Sequence, residues 1–236
     1  MATSTDIFAS RRSEAASTRW LPSLFDLIVV SLPFWYFTLG DGGLLGLLMD
    51  GDTGWHTRTG DWIRQHGSFV WSDPFSISKP GAPWFAWEWL CDVLFSFLNE
   101  AAGWKGLALF GVVLGAAFFA ITFRHLIWRG ANLYIALTLS LMVFGASTVH
   151  LLSRPHLWTM VFTAAAAFLI QRDLRRRTAW LWCLPPLTAL WTNLHAGWPA
   201  AVALLGLTAA GVALERAVRG QSWRAGLRYA ACAALC

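Results

Sequence analysis

Charged side chains make up only 13% of this 236-residue sequence, whereas hydrophobic residues make up 56%. A soluble domain of this length needs far less apolar surface, so the composition excludes that class and predicts an all-α integral membrane protein. The net charge of +5 does not indicate nucleic-acid binding, because the basic residues form short clusters at the ends of apolar runs. We therefore expect membrane lipid as a partner and no nucleic acid.

The sequence also lacks the cysteine spacing of a metal site or a disulfide framework. No small-residue cleavage site follows the first apolar run, 21–39, so this run predicts a retained first span rather than a signal peptide. Residues 1–20 before it are expected to form a cytoplasmic tail. The four cysteines are Cys91, Cys183, Cys232 and Cys236.

Several later apolar runs approach the length of about 20 residues that a membrane-spanning helix needs. Together with the first run they predict about six or seven spans in one transmembrane domain, residues 21–236. The chain stops inside the last run, and we expect it to be truncated at the C-terminus. The later runs are 104–123, 131–151, 156–170, 179–193, 198–214 and one that begins near 227.

The long loop 41–103, which follows the first span, holds eight of the 13 acidic residues. Two amphipathic juxtamembrane helices are predicted in it, at 54–66 and 84–98, both lying along the membrane surface. In the second helix, polar residues recur every three or four positions, which predicts a single stripe facing water. The residues of this stripe are Glu88, Asp92, Ser96 and Asn99.

Arginine clusters at the ends of the apolar runs indicate the orientation. If the 84–98 helix lies on the surface, every cluster faces the cytoplasm, as the positive-inside rule requires; if it crosses, all but the first face outward. We favour the first arrangement, with a cytoplasmic N-terminus in a bacterial inner membrane and the loop outside. The clusters are Arg11/Arg12/Arg19, Arg124/Arg129, Arg172/Arg175/Arg176/Arg177 and Arg216/Arg219/Arg224.

Three motifs follow the first span: the acidic motif 50–56 (DGDTGWH), the segment 58–67 (RTGDWIRQHG) and the Lys-Pro segment 79–90 (KPGAPWFAWEWL). Their order resembles the N-terminal module of the GT-C membrane glycosyltransferases, mainly over residues 21–123. The resemblance is strongest to members that use polyprenyl-phosphate-linked sugars, such as aminoarabinose transferases and protein O-mannosyltransferases. It implies that such a lipid-linked sugar is the donor, with no indication of the acceptor.

The resemblance also implies residue roles, with Asp52 as the catalytic base, Asp50 as its alternative and Lys79 as a phosphate-binding residue. The sequence departs from the family pattern at Thr53, where a second acid is usual. The family has a Lys-Pro-Pro segment, whereas here two residues separate Lys79-Pro80 from Pro83.

Sugar transfer needs an ionised carboxylate to take the proton of the attacking hydroxyl, and cations to meet the leaving phosphate. Arg154 is well placed for the second role, because Pro155 can start a helix directly after it. Two aspartates and a histidine of the acidic motif, Asp50, Asp52 and His56, would also suit a divalent metal. The predicted substrate-binding residues are Lys79, Arg154, His56, Arg58, His150, His156 and Glu88.

Simpler roles compete with these assignments. Asp52 or Thr53 would cap the following helix, and Arg154 would reach up to lipid headgroups. Glu88 would lie on the wet side of a surface helix, and His195 would be a turn residue.

The alternative function is a transport or scaffold protein whose loop binds a partner. Ionisable groups at the membrane midplane favour transport, whereas groups gathered at one face favour transfer.

Overall fold

The computed structural model describes residues 23–40 and 43–236, and within them the chain is helical with no strand. The predicted tail, residues 1–20, lies outside the described residues. Short 3₁₀ turns occur at Gly43–Leu48, Thr148–His150, Ala179–Cys183 and Trp223–Gly226. The α-helices are α1 (Leu24–Leu39), α2 (Gly51–His66), α3 (Trp89–Arg129), α4 (Leu133–Ser147), α5 (His156–Arg175), α6 (Leu184–Leu194), α7 (Pro199–Val218) and α8 (Leu227–Leu235).

Among the described residues, three helical segments are long and apolar enough to cross a membrane. They are α3, α7 and the continuous segment Leu133–His150, which is α4 with its 3₁₀ extension. The helix α1 is apolar but shorter. Large apolar side chains on these helices are exposed, as expected where helices face lipid. The all-helical class is confirmed, and these helices indicate a membrane protein; the total of six or seven spans stays a prediction.

The helix α3 consists of two segments joined at Gly103, whose φ of 61° and ψ of −161° lie outside the helical range. Only glycine adopts a positive φ readily, so this residue permits the break. The ring centroids of Phe95 and Phe110 lie 6.2 Å apart, although a straight helix would separate these positions by about 22 Å. Residues 89–102 therefore turn back toward residues 104–129.

Helices cover most of both predicted loop stretches, with starting points that differ from the prediction, and their placement along a membrane surface stays a prediction. The first begins at Gly51 rather than at residue 54, because Asp50 caps it. The second begins at Trp89 rather than at residue 84. Residues 84–86 have no regular secondary structure, and residues 87–88 form a turn that leads into the helix. The helix α2 packs lengthwise on residues 89–102, so the two loop helices cover each other.

One end of the helical bundle is defined by contacts between arginines and the helix termini. Arg124 near the end of α3 donates to Asp26 near the start of α1 at 2.7 Å. Arg175 at the end of α5 donates to the backbone carbonyl oxygen of Arg129 at 3.1 Å. A helix of 20 residues such as α5 is about 30 Å long, so residues that precede α5 lie at the opposite end of the bundle.

Candidate functional site

A cavity of about 290 Å³ opens at this opposite end, where α5 begins. Its walls come from α2, from residues 84–92, from the start of α5 and from the turn between α6 and α7. Indole and phenyl rings, of Trp55, Trp84, Phe85 and Trp87, line one part of it. The ionisable side chains that line it are Asp52, His56, Glu88, Asp92, Arg154, His156 and His195.

Arg154 binds both aspartates of the acidic motif. Its Nη1 donates to Asp50 Oδ2 at 2.8 Å, and its Nη2 donates to Asp52 Oδ2. The second oxygens also accept hydrogen bonds: Asp50 Oδ1 from the Asp52 N–H at 2.9 Å, and Asp52 Oδ1 from Trp55 Nε1 at 3.3 Å. Asp50 is thus the N-cap of α2. The prediction that Asp52 or Thr53 caps this helix is wrong, because the helix starts earlier.

The backbone beside Arg154 is fixed by three hydrogen bonds of Ser153. Its N–H donates to the Leu47 carbonyl oxygen at 2.8 Å, and its hydroxyl donates to the Leu107 carbonyl oxygen at 3.0 Å. Its carbonyl oxygen accepts from the Thr53 hydroxyl at 2.8 Å. These bonds tie the residue before Arg154 to α2, to α3 and to the turn before α2. The guanidinium is therefore held beside the start of α2.

His56 and Asp92 form a buried pair between α2 and α3. His56 Nδ1 lies 2.6 Å from Asp92 Oδ1, and the side chains are 6% and 1% exposed. Asp92 Oδ2 is buried without a hydrogen-bond partner among the described residues. The prediction of a stripe facing water is wrong at Asp92 and Ser96, because α2 covers this face of α3.

Glu88 lies between two imidazole rings at the cavity wall. Its Oε2 is 3.5 Å from His56 Nε2, and its Oε1 is 3.6 Å from His195 Nε2. The Ala196 N–H donates to Oε1 at 3.4 Å. Burial raises the pKa of Glu88, and the nearby His56 ring opposes this effect in part. With a side chain only 19% exposed, Glu88 does not lie on the wet side of a surface helix as predicted.

Contacts at Nδ1 fix the orientation of the His195 ring. Its Nδ1 accepts from the Gly197 N–H at 3.0 Å and lies 2.6 Å from Thr159 Oγ1. Thr159 Oγ1 in turn accepts from Trp191 Nε1 at 2.8 Å. Burial, reinforced by neighbouring histidines and an arginine, lowers the pKa of His195 to about 4. His195 lies at the turn, as predicted, and also lines the cavity with an imidazole that is neutral at pH 7.

The other predicted site residues, Asp50 as the alternative base and four substrate-binding residues, divide into two groups. Asp50 reaches the cavity through its contact with Arg154, and His156 lines the wall. Three residues lie outside the wall. Lys79 is exposed on the loop, and Arg58 is exposed and lies 4.0 Å from Asp61. His150 is exposed; its carbonyl oxygen contacts the His156 ring, and the two rings meet edge to face.

A second, more apolar groove of about 420 Å³ lies on the other side of the start of α2. Its lining includes Leu45, Leu48, Met49 and Trp104, and Asp50 borders it. Because Asp50 contacts Arg154, which lines the cavity, an ion pair links the borders of the groove and the cavity.

The described residues contain no group of three or more His, Cys, Asp or Glu side chains able to hold a metal ion. The three residues that the sequence suggested as metal ligands, Asp50, Asp52 and His56, bind different partners. Asp50 and Asp52 bind Arg154, whereas His56 binds Asp92.

No protein-family model, curated protein or solved structure matches this chain. Its class follows from the helices alone, as an all-helical protein with segments able to cross a membrane.

Proposed function

We propose that this chain is a membrane glycosyltransferase of the GT-C type. It transfers a sugar from a polyprenyl-phosphate donor to an acceptor at the outer surface of a bacterial inner membrane. The observation that carries this proposal is the cavity, where carboxylates, imidazoles and an arginine meet at the ends of apolar helices. The arginine clusters support six or seven spans with a cytoplasmic N-terminus.

The wall of the cavity supplies both kinds of group that the reaction needs. The acceptor hydroxyl attacks the anomeric carbon and gives up its proton, so a carboxylate must stand within hydrogen-bonding reach of it. Asp52 and Glu88 both line the cavity. The sugar–phosphate bond breaks and its electron pair leaves with the phosphate, which a guanidinium stabilises. Arg154 carries five N–H donors and is 35% exposed, so donors remain beyond its two carboxylate contacts.

The apolar groove supports a donor with a lipid chain. Asp50, the partner of Arg154, borders it, and leucine, methionine and tryptophan side chains make up most of its other side-chain walls. A polyprenyl chain in this groove would bring its phosphate to the ion pair and its sugar toward the cavity. The chain would then lie in an apolar environment while the reacting groups stay in a polar one.

The location of the ionisable groups favours transfer over transport. A transporter usually carries such groups near the middle of its spans. Here Glu88, Arg154 and His195 lie just outside helix ends, and Asp52 lies in the first turn of α2.

Lipid mass spectrometry of membranes from cells with and without the gene tests this function. We expect a polyprenyl-phosphate sugar to accumulate without the gene, and the wild-type gene to reverse this. Arg154→Gln should fail to reverse it, because the cavity loses its guanidinium. The control is Arg219→Gln at the end of α7, where Arg219 is 66% exposed beside Glu215. Equal lipid profiles with and without the gene, or full reversal by Arg154→Gln, would contradict the proposal.

A further inference from the structure

The two rings beside Glu88 carry their protons on different nitrogens. His56 Nδ1 lies 2.6 Å from Asp92 Oδ1; an ionised Asp92 accepts a hydrogen bond there, which leaves the lone pair of the neutral ring on Nε2. His195 is the reverse case, because its Nδ1 accepts from the Gly197 N–H and Nε2 therefore bears the hydrogen. The ring nitrogens that face Glu88 thus differ: that of His195 donates, and that of His56 accepts.

This difference assigns the two oxygens of Glu88 distinct roles. Oε1 accepts a hydrogen bond from the Ala196 N–H at 3.4 Å, and His195 Nε2 faces it at 3.6 Å. Oε2 faces the lone pair of His56 Nε2 at 3.5 Å. Two acceptors that face each other in a partly buried site are unfavourable unless a proton lies between them. One proton satisfies both groups.

We propose that Glu88 and His56 share this proton, and that the pair is the proton acceptor in the transfer reaction. The second part rests on the proposed function. The separation of 3.5 Å closes by a small side-chain movement or through one water molecule, as hydrogen bonds of catalytic groups often do when substrate binds.

Asp52 is less suited to the same role. Both of its oxygens already accept hydrogen bonds, from Arg154 and from Trp55. Within the part of the chain that the structure describes, Glu88 Oε2 accepts no hydrogen bond and faces the His56 ring. Burial also raises the pKa of Glu88, which brings its proton affinity nearer to the range in which a general base works. Asp52 instead positions Arg154.

Several charged or titratable groups face the Glu88–His56 pair and affect its proton affinity. An ionised Asp92 on α3 favours the protonated pair, whereas Arg154 opposes it. Imidazoles from two further elements complete the surroundings. The full set is Asp52 from α2, Asp92 from α3, Arg154 and His156 from the start of α5, and His195 from the turn between α6 and α7.

The proposed step conserves atoms and electrons. Before it, the pair has lost its shared proton, leaving a Glu88 carboxylate and a neutral His56. The acceptor O–H bond then breaks and its proton moves to Glu88 Oε2, where His56 Nε2 shares it. The acceptor oxygen bonds to the anomeric carbon, and the bond from that carbon to the phosphate oxygen breaks, with its electrons leaving on the phosphate.

The proton positions are measurable without any substrate, by nitrogen NMR of the full chain labelled with ¹⁵N-histidine in lipid bilayers. We expect hydrogen on Nδ1 in neutral His56 and on Nε2 in neutral His195. Glu88→Gln should change the ¹⁵N chemical shift of His56 Nε2, because the amide cannot share a proton. Glu100→Gln is the control, since Glu100 is 66% exposed and contacts Arg64 outside the cavity. Hydrogen on Nε2 of neutral His56, or a His56 Nε2 chemical shift unaffected by Glu88→Gln, would overturn the shared proton.

The reaction role has a separate measurement, the pH profile of sugar transfer. Wild-type activity should rise with pH as the pair loses its proton. Glu88→Gln should lower the rate by about 10²- to 10⁴-fold and remove this rise, whereas Glu100→Gln should do neither. A pH-dependent rise that persists in Glu88→Gln would overturn the role of the pair. If wild-type protein shows no transfer while the NMR result holds, the proposed function fails and the shared proton stands.

Discussion

A Cβ atom placed on Gly60 would lie 1.9 Å from the backbone carbonyl oxygen of Asp92, so α2 and α3 meet there backbone to backbone. His56 lies about one turn before Gly60 on the same face of α2. This close approach is what allows the His56 ring to reach the Asp92 carboxylate at 2.6 Å. The geometry of the candidate site thus depends on a residue that contributes no side chain.

The first prediction concerns this contact. Gly60→Ala should lower the free energy of unfolding by about 1–3 kcal/mol, because the new methyl group overlaps backbone that cannot move freely. Thermal unfolding in detergent measures the effect. Gly54→Ala is the matched control on the same helix, since a Cβ there meets nothing within 4 Å. Equal stability of the two variants would contradict the close approach.

The second prediction concerns the N-cap of α2. Asp50→Ala should cost about 0.5–2 kcal/mol of stability, because the Asp52 N–H loses its acceptor. Asp50→Asn should retain most of this stability, since asparagine caps helices about as well as aspartate. The comparison uses the same unfolding assay. If Asn and Ala variants are equally destabilised, the loss comes from the ion pair with Arg154 rather than from the cap.

The sequence predicted the helical class and the gathering of polar residues, but not how the loop helices pack. Periodicity shows which residues share a face of a helix, and it does not show what covers that face. Asp92 and Ser96 share a face as predicted, yet they are buried because α2 supplies partners for both. The polar face of α3 that was expected to face water is therefore a buried contact with α2.

The role of His195 could not be inferred from local sequence for a similar reason. Its partners Thr159 and Trp191 lie 36 and four positions away, and only the packing of α5 against α6 brings them together. Arg154 was predictable, because a proline follows it and α5 begins directly afterwards. Lys79 was chosen from family resemblance alone, and its position depends on a loop whose path the sequence does not determine.

The third prediction is a pH dependence of stability that comes from His195. Folding lowers its pKa from 6.5 to about 4, so between these values the unfolded chain binds more protons than the folded chain. Stability therefore falls as pH falls through this window, by at most about 1.4 kcal/mol per pH unit for one group.

Unfolding measured across this pH range should show a smaller loss in His195→Gln than in the wild type. Glu88 acts in the opposite direction, because its raised pKa makes the folded state bind more protons, but this contribution is common to both proteins. His66→Gln serves as the control, since His66 is exposed at the end of α2 and does not line the cavity. An unchanged pH slope in His195→Gln would contradict the assignment.

The fourth prediction is topological. In a variant whose native cysteines are replaced by serine, a membrane-impermeant thiol reagent added outside should label Ser72→Cys and not Arg176→Cys. Both positions are exposed in the fold, so the difference would come from the membrane. Permeabilised cells, in which both sites should react, provide the control. The reverse pattern would place the cavity on the cytoplasmic side.

The last prediction separates the two carboxylates that line the cavity. Asp52→Asn keeps an oxygen for the Trp55 indole and leaves Asp50 as a partner of Arg154, so its stability should match the wild type. Sugar transfer should fall by less than about 10-fold and keep the wild-type pH profile, because the proton still moves to Glu88. The family resemblance leads to a different expectation, in which Asp52 is the base and its loss costs about 10²- to 10⁴-fold. A loss of that size in a stable Asp52→Asn protein would return the role of base to Asp52 and leave Glu88 as a residue that only positions its neighbours.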